Sequence, residues 1–198
     1  MRQRNCNAEV PSLDQVKAER KRLRYRRRYR RTLASTLTAL LAAAAIGVLA
    51  ATLWFPVLEI HGSSMSPTLR DGQIVVAVKS ASPSRFSEGD VIAFYHGNKL
   101  LVKRCVAGPS DWVDLDESGN LYVNDTLLEE PYLTEKAFGD TNISLPYQVG
   151  DGRWFLVGDN RKNSVDSRNT AVGCVAGEQI VGRIAFCIWP LSDFGLIG

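Results

Sequence analysis

Apolar and polar positions divide the chain into one long apolar segment and a series of short strand-like runs. Residues 32–58 contain no charged side chain, and a helix of about 20 apolar residues spans the hydrocarbon core of a bilayer. Downstream, runs rich in β-branched and aromatic residues are separated by turn signals, which is typical of strands. These runs cover residues 73–79, 91–95, 100–106, 112–116, 121–124, 153–158 and 179–186. The pattern predicts a mostly β domain preceded by a single N-terminal transmembrane helix.

Positive charge is concentrated before the apolar segment. Residues 1–31 hold twelve Lys and Arg and three acidic residues, whereas the rest of the chain carries a net charge of −6. A basic run of this kind fits either a nucleic-acid-binding arm or a membrane orientation signal. Because an apolar segment follows directly, we interpret the run as a signal that keeps the N-terminus in the cytoplasm. We therefore predict no nucleic-acid partner.

The predicted organisation has three parts. A basic cytoplasmic tail covers residues 1–31, a transmembrane signal anchor covers residues 32–57, and an extracytoplasmic domain covers residues 58–198. A cleavable signal peptide is the alternative, because Ala-x-Ala triplets occur at residues 42–45. The uncharged run is longer than the roughly 7–15-residue core of such peptides, which favours a retained anchor.

Cysteine and histidine limit the chemistry that the chain could carry. Cys6 precedes the apolar segment, and Cys105, Cys174 and Cys187 follow it. Since three is an odd number, at least one of these is free or pairs between chains. The chain has two histidines, no CxxC pair and no cluster with the spacing of metal ligands. We predict neither a metal nor a cofactor.

A candidate nucleophile, Ser64, lies between two apolar runs. Gly62 allows a tight bend before it, and Pro67 fixes a turn after it. The serine therefore sits where a strand gives way to a turn. Serines in such turns are often turn formers only, and this is the alternative interpretation.

A candidate base, Lys103, lies in the apolar run 100–106. In a strand it would share a face with Leu101 and Cys105, because alternate residues point the same way. Burial disfavours the ammonium and lowers a lysine pKa from roughly 10.4 by as much as 3–5 units. A neutral amine could then accept the proton of a serine. The alternative is an edge-strand lysine that reaches the solvent.

A polar stretch at residues 158–168 directly follows an apolar run. Its composition fits either a solvated loop or a loop that carries a site on a rigid scaffold. Its charges could pair within the loop, Asp159 with Arg161 and Asp166 with Arg168.

Four motifs in this order resemble those of the bacterial type I signal peptidases, the membrane-bound serine–lysine leader peptidases. They are residues 64–69 (SMSPTL), 89–92 (GDVI), 103–104 with 108–111 (KR, GPSD) and 158–168 (GDNRKNSVDSR). The resemblance covers about residues 35–198. It implies a compact β-rich catalytic domain without the large extra β-domain of some family members.

The resemblance assigns roles to five residues. Ser64 matches the nucleophile, and Lys103 matches the general base. Ser164 matches a serine that hydrogen-bonds and orients that lysine. Asp166 and Arg168 match an ion pair that braces the site.

In three places the chain departs from the family pattern. Some members have a serine hydroxyl in the oxyanion hole two residues before the nucleophile, where this chain has Gly62. The Gly62 backbone or a water would have to serve instead. Ser110 replaces a glycine that is usual after the base strand, and Lys162 stands where an acidic residue is often found.

The implied function is a membrane-bound serine endopeptidase that removes N-terminal signal peptides from exported preproteins. It would cut after small residues, at sites of the Ala-x-Ala type. Four apolar residues flank the dyad and are predicted to bind substrate: Ile60, Met65, Leu69 and Val102. The implied location is the plasma membrane, crossed once, with signal peptides and membrane lipid as partners.

Three rival interpretations remain at this point. A membrane-anchored relative that binds preprotein segments without cutting would be expected to lack Ser64 or Lys103. A self-cleaving Ser–Lys repressor would be expected to open with a DNA-binding domain. A peptidase restricted to one pilin-like or conjugative substrate would share all of these sequence features.

Overall fold

The structure is a computed structural model that describes residues 12–79 and 86–197. Cys6 and the first part of the predicted basic tail lie outside the described residues. Helix α1 covers Leu13–Trp54, so its first turns lie within the predicted tail. By length and composition it is the one helix in the described residues that could cross a membrane.

The end of α1 follows from the sequence. Its last turns are rich in alanine and leucine, which favour helix. Pro56 lacks an amide hydrogen and disfavours the helical conformation of the residue before it. The Phe55 amide still donates to the Ala51 carbonyl at 2.8 Å, and a strand begins at Val57.

The rest of the described chain is mostly strand. In chain order the strands are β1 (Val57–Glu59), β2 (Ile74–Val78), β3 (Val91–His96), β4 (Lys99–Ala107), β5 (Trp112–Leu115), β6 (Leu121–Val123), β7 (Thr126–Leu127), β8 (Tyr147–Gln148), β9 (Arg153–Val157), β10 (Val175–Ala176), β11 (Ile180–Trp189) and β12 (Gly195–Leu196). All seven predicted runs contain a strand. The predicted fold class, mostly β behind one long apolar helix, is confirmed.

The strands form two antiparallel sheets. The larger has the order β1-β2-β11-β3-β4-β9-β10, with β12 paired to β11, and the smaller has the order β7-β6-β5-β8. Three apolar clusters fill the domain. One lies around the smaller sheet and β9, and a second packs the turn after β1 against β2, β3 and β11. The third joins residues of β3, β4 and β9.

Strand β4 is the element that positions the site. Residues 99–104 of β4 pair with β3, and Lys103 lies opposite Ile92. Strand β9 joins the other edge only from Arg104 onward. Every residue from Lys103 to Ala107 is buried, so neither face of this part of β4 meets solvent. Two adjacent cationic side chains, at 103 and 104, are therefore buried together.

Ser110 has a left-handed backbone conformation, with φ of 71°. Glycine, the residue that the family resemblance places here, adopts this region without strain. Ser110→Gly should raise the free energy of unfolding by about 0.5–1 kcal/mol, because relief of the Cβ strain outweighs the extra freedom of the unfolded chain. Urea denaturation measures this.

The matched control is Ser192→Gly, at an exposed serine of a short 3₁₀ helix. That variant should lose stability, because the added glycine only increases the freedom of the unfolded chain. Equal losses in both variants would show that the Ser110 conformation carries no strain.

Candidate active site

Ser64 lies on a turn that is fixed at both ends. Gly62 before it has φ of +88°, a conformation that side chains disfavour. After it, Met65 and Leu69 are 2% and 1% exposed, and the Leu69 amide donates to the Met65 carbonyl at 2.9 Å. The half-buried Ser64 is thus carried between a glycine bend and two core residues.

Lys103 reaches Ser64 from β4. Its Nζ lies 2.7 Å from Ser64 Oγ, and the residue is 3% exposed. Burial is the largest influence on the pKa of Lys103 and lowers it. The carboxylate of Asp166 opposes this and the nearby charge of Arg168 reinforces it, so the net shift of the pKa is downward. Ser64 and Lys103, which the sequence predicts as nucleophile and base, thus lie within hydrogen-bond distance of each other.

The loop 158–168 holds the Ser64 turn through Asn160. The Asn160 amide donates to the Ser64 carbonyl at 3.0 Å, and its side-chain Nδ2 donates to the Ser63 carbonyl at 3.1 Å. These two bonds fix the backbone on both sides of the nucleophile. The sequence interpretation did not single out Asn160. Its place within a dense polar loop was the available signal.

Gly158 packs tightly between the Ser64 turn and Ser164. A Cβ atom built there would lie 2.6 Å from the Ser64 carbonyl oxygen and would also collide with the Ser164 hydroxyl. Real Cβ atoms do not make contacts this short, so the close approach requires glycine.

Ser164 is placed beside Gly158, but it does not make the expected bond. Its Oγ is buried and makes no hydrogen bond to Lys103 within residues 12–79 and 86–197; it lies beside Asp166 instead and helps to lower the pKa of that carboxyl group. The role of Ser164 in orienting Lys103 stays a prediction.

Asp166 and Arg168 form the predicted ion pair. Arg168 Nε and Nη2 each donate to an Asp166 oxygen at 2.9 Å, and both side chains are 1% exposed. The Gly158 amide also donates to Asp166, at 3.0 Å. Burial raises the pKa of Asp166, but its bonds to Arg168 and Gly158 outweigh burial and hold the pKa below its usual value.

The predicted Asp159–Arg161 pair is wrong. Asp159 instead accepts from Arg104 Nε at 2.9 Å and Nη2 at 2.8 Å, with both side chains buried. Thr68 Oγ1 donates to the same carboxylate at 2.6 Å. Asp159 pairs with an arginine 55 residues away because the loop folds back onto β4. This contact cannot be predicted from the residues next to Asp159 in the sequence.

The amide of Gly62 is already engaged. It donates to Asp71 Oδ1 at 2.6 Å, so in this conformation it does not point a free donor at the dyad. The amide of Ser64, by contrast, donates to no acceptor within the part of the chain that the structure describes. The Ser64 amide is therefore a free backbone donor on the candidate nucleophile itself.

A cleft of about 570 Å³ opens beside the dyad. Its lining includes three of the four residues predicted to bind substrate: Ile60, Met65 and Val102. Leu69 is not part of this lining; it packs in the apolar core behind the Ser64 turn. Substrate binding by the other three stays a prediction.

The remaining departures from the family pattern lie away from the dyad. Lys162 makes an exposed ion pair with Glu135 at 2.6 Å.

The described cysteines, Cys105, Cys174 and Cys187, are all free and buried. This is consistent with the expectation that at least one of them is unpaired.

Comparison with known proteins gives consistent results. Residues 31–189 match the family described as signal peptidase, peptidase S26. Signal peptidase I U of Bacillus subtilis (strain 168) is 32% identical over 162 residues, which cover 77% of this chain and 85% of the relative. Signal peptidase IB of Staphylococcus aureus (strain COL) is 36% identical over 154 residues, covering 68% and 78%. A crystal structure of a signal peptidase I from Enterococcus faecalis V583 is 25% identical, covers 50% of this chain and 96% of its own, and has a TM-score of 0.43.

The match to a peptidase family covers residues 31–189, which is most of the chain, and assigns the protein to the peptidases. The chain belongs to the signal peptidase family, peptidase S26. Together with the apolar helix α1, this indicates a membrane-anchored protein.

The close packing at Gly158 makes a first prediction for this site. Gly158→Ala should lower the rate of peptide cleavage by about 10²-fold, because a displacement of about 1 Å at a catalytic group has that effect. The added methyl group must push the Ser64 turn or Ser164 away. Cleavage rates of the folded variant, verified by circular dichroism, measure this.

Gly108→Ala is the matched control, since a Cβ there would meet only Asp111, at an ordinary 3.6 Å. A Gly158→Ala enzyme with the activity of the Gly108→Ala enzyme would contradict the proposed tight contact.

Burial of Lys103 makes a second prediction, about stability and pH. Its folded pKa is lowered, so between that pKa and the ordinary value of about 10.4 the unfolded chain binds more protons. Stability of the wild type should therefore rise with pH across this window. Lys103→Met should be more stable than wild type at neutral pH, by about 1.4 kcal/mol per unit of lowering, and the gain should vanish near pH 10.

Denaturation midpoints of both proteins over that pH range provide the measurement. The exposed Lys99 of the same strand supplies the control variant, Lys99→Met. A stability difference between wild type and Lys103→Met that is independent of pH would show that Lys103 is not shifted by burial.

Proposed function

We propose that this protein removes N-terminal signal peptides from exported preproteins, with Ser64 as nucleophile and Lys103 as general base. The contact of 2.7 Å between Lys103 Nζ and Ser64 Oγ beside an open cleft carries this proposal. Membership of the signal peptidase family supports the substrate class. A non-cleaving relative is the poorer alternative, because both dyad residues are present and in contact.

The first half of the reaction is acylation. Ser64 Oγ attacks the carbonyl carbon before the scissile bond, and its proton passes to the neutral amine of Lys103. The tetrahedral intermediate then collapses, the C–N bond breaks, and Lys103 returns the proton to the leaving amine. The mature protein leaves with a new N-terminus, and the signal peptide remains as an ester on Ser64.

The second half releases the signal peptide. Lys103 takes a proton from a water molecule, whose oxygen attacks the ester carbonyl. The C–O bond to Ser64 breaks, and the proton returns to Ser64 Oγ. The signal peptide leaves as a carboxylic acid, which loses its proton to the solvent, and the dyad is restored.

The developing oxyanion is stabilised by the amide of Ser64. This amide has no acceptor within the described residues, whereas the Gly62 amide is held by Asp71. A single fixed donor can contribute a factor of about 10²–10³ to the rate. A water molecule or a local rotation at Gly62 would have to provide any second donor.

The substrate lies extended in the cleft between β1 and the first half of β4. Strand β1 is at one end of its sheet, and residues 99–103 pair with β3 only. Both therefore offer backbone groups to an added strand. Ile60, Met65 and Val102 form apolar walls that suit small side chains of the Ala-x-Ala type.

Helix α1 anchors the enzyme in the plasma membrane. The basic residues before the apolar stretch keep the N-terminus in the cytoplasm, and the catalytic domain lies on the opposite side. Membrane lipid and preprotein signal peptides are its partners, and it does not bind nucleic acid.

The proposal predicts that Ser64→Ala and Lys103→Ala each abolish cleavage of a preprotein with an Ala-x-Ala site. Each removes a group that bonds to the reacting atoms, and losses of about 10⁴-fold or more are usual for such residues. Cleavage by detergent-solubilised full-length protein, followed on a gel and by sequencing of the product N-terminus, measures this.

Ser63→Ala and Lys79→Ala are the matched controls, because both residues are exposed and neither lines the cleft. They should retain activity. Cleavage close to the wild-type rate by either dyad variant would overturn the assignment, and absence of cleavage by the wild type would favour a substrate-restricted relative.

A further inference from the structure

A buried carboxylate, Glu130, lies outside every motif that the sequence analysis used. It belongs to the segment between β7 and β8, and its side chain is completely buried. Arg161 Nη1 donates to Glu130 Oε2 at 3.1 Å, and Arg161 Nη2 donates to Oε1. Burying a charged carboxylate costs free energy unless it is paired. The ion pair with Arg161 therefore stabilises Glu130 in its buried position.

Arg161 connects this carboxylate to the dyad. Its Nε donates to the Gly158 carbonyl at 3.2 Å, and Gly158 is the residue packed against the Ser64 carbonyl and the Ser164 hydroxyl. The guanidinium thus touches Glu130 on one side and the backbone of Gly158 on the other.

A second route leads from Arg161 to the same glycine. The Arg161 carbonyl accepts from Arg168 Nη2 at 3.0 Å, Arg168 pairs with Asp166, and Asp166 accepts the Gly158 amide. Both the amide and the carbonyl of Gly158 are therefore fixed by one closed network. Glu130 is the side chain from outside the loop that joins this network, which the backbone carbonyls of Ala137 and Phe138 also enter by accepting from Arg168 Nη1.

Tyr132 ties the same segment to the base strand. Its hydroxyl donates to Glu130 Oε1 at 3.0 Å, and its ring lies 3.9 Å from Arg104 Cζ. Burial, followed by the charge of Glu130, raises the pKa of Tyr132, so the phenol keeps its proton and donates. Glu130 and Tyr132 hence contact two arginines, Arg161 in the loop and Arg104 directly after Lys103.

We propose that Glu130, assisted by Tyr132, is a positioning residue of this enzyme. It acts through Arg161 to hold Gly158 against the Ser64 turn. Glu130 does not line the cleft, so it affects the arrangement of the dyad and leaves substrate binding unchanged. The kinetic part of this inference rests on the proposed function; the structural part does not.

The kinetic test uses two changes at Glu130 in the full-length protein. Glu130→Ala leaves Arg161 without its partner and should lower kcat by about 10²-fold with KM unchanged, as a misplaced catalytic group does. Glu130→Gln keeps an acceptor oxygen and nearly the same volume, and should lower kcat by a smaller factor. Each variant is assayed at a temperature where its circular dichroism equals that of wild type.

The adjacent Glu129 provides a matched control, because it is exposed and has the same charge. Glu129→Ala and Glu129→Gln should keep the wild-type kcat and KM. If the folded Glu130 variants also keep the wild-type kcat, or if their loss lies in KM, the positioning role is wrong.

A double variant distinguishes positioning through Arg161 from a general effect on stability. If Glu130 acts through Arg161, Glu130→Gln combined with Arg161→Gln should lose no more kcat than Arg161→Gln alone. Losses that multiply would show that the two residues act independently, and would overturn the proposal.

Hydrogen exchange gives a readout that needs no cleavage. The amides of Gly158 and Asn160 donate to Asp166 and Ser64, so their exchange reports local opening of the loop. Exchange there should be faster in Glu130→Gln than in Glu129→Gln. Unchanged exchange at these amides would refute the proposal. Faster exchange with an inactive wild type would refute the proposed function and leave this inference standing.

Discussion

The buried ion pair between Arg104 and Asp159 is the interaction on which the site depends. Arg104 follows the base in β4, Asp159 opens the polar loop, and Thr68 of the nucleophile turn donates to the same carboxylate. Three segments that are far apart in the chain therefore meet at one carboxylate. Removing one member of a buried pair costs about 3–5 kcal/mol, because the other charge is left without a partner. Such a pair fixes the relative position of segments more firmly than apolar contacts, which tolerate sliding.

The buried charges of the domain balance without Lys103. Each buried arginine has its own carboxylate, and the pairs are Arg104–Asp159, Arg161–Glu130 and Arg168–Asp166. Lys103 is the remaining buried cationic residue of the described chain and has no carboxylate within ion-pair distance there. Burial disfavours an ammonium that lacks a partner. Because each of the three buried carboxylates is paired with an arginine, none is left to hold a proton on Lys103, and the pKa of Lys103 is lowered.

The fold class could be predicted from the sequence, and so could the residues that meet at the Lys103–Ser64 contact, whereas the partners of the buried charges could not. The β-branched runs and turn residues are local signals, and the predicted run 91–95 corresponds closely to β3. Ser64 and Lys103 were predicted from local context and from the family motifs, and the Asp166–Arg168 pair joins residues two positions apart. By contrast, Arg104 pairs with Asp159 across 55 positions, and Glu130 pairs with Arg161 across 31 positions. The choice among several acids and several arginines is made by tertiary packing, which no single stretch of sequence contains.

The free thiols have a consequence for how this domain tolerates its surroundings. None of the three cysteines in the described catalytic domain is cross-linked, and burial raises the pKa of Cys105 to about 12. Oxidation and disulfide exchange proceed through the thiolate, which this thiol hardly forms at neutral pH. The described domain therefore contains no disulfide that a reducing medium could break, and its Cys105 thiol reacts slowly with oxidants at neutral pH.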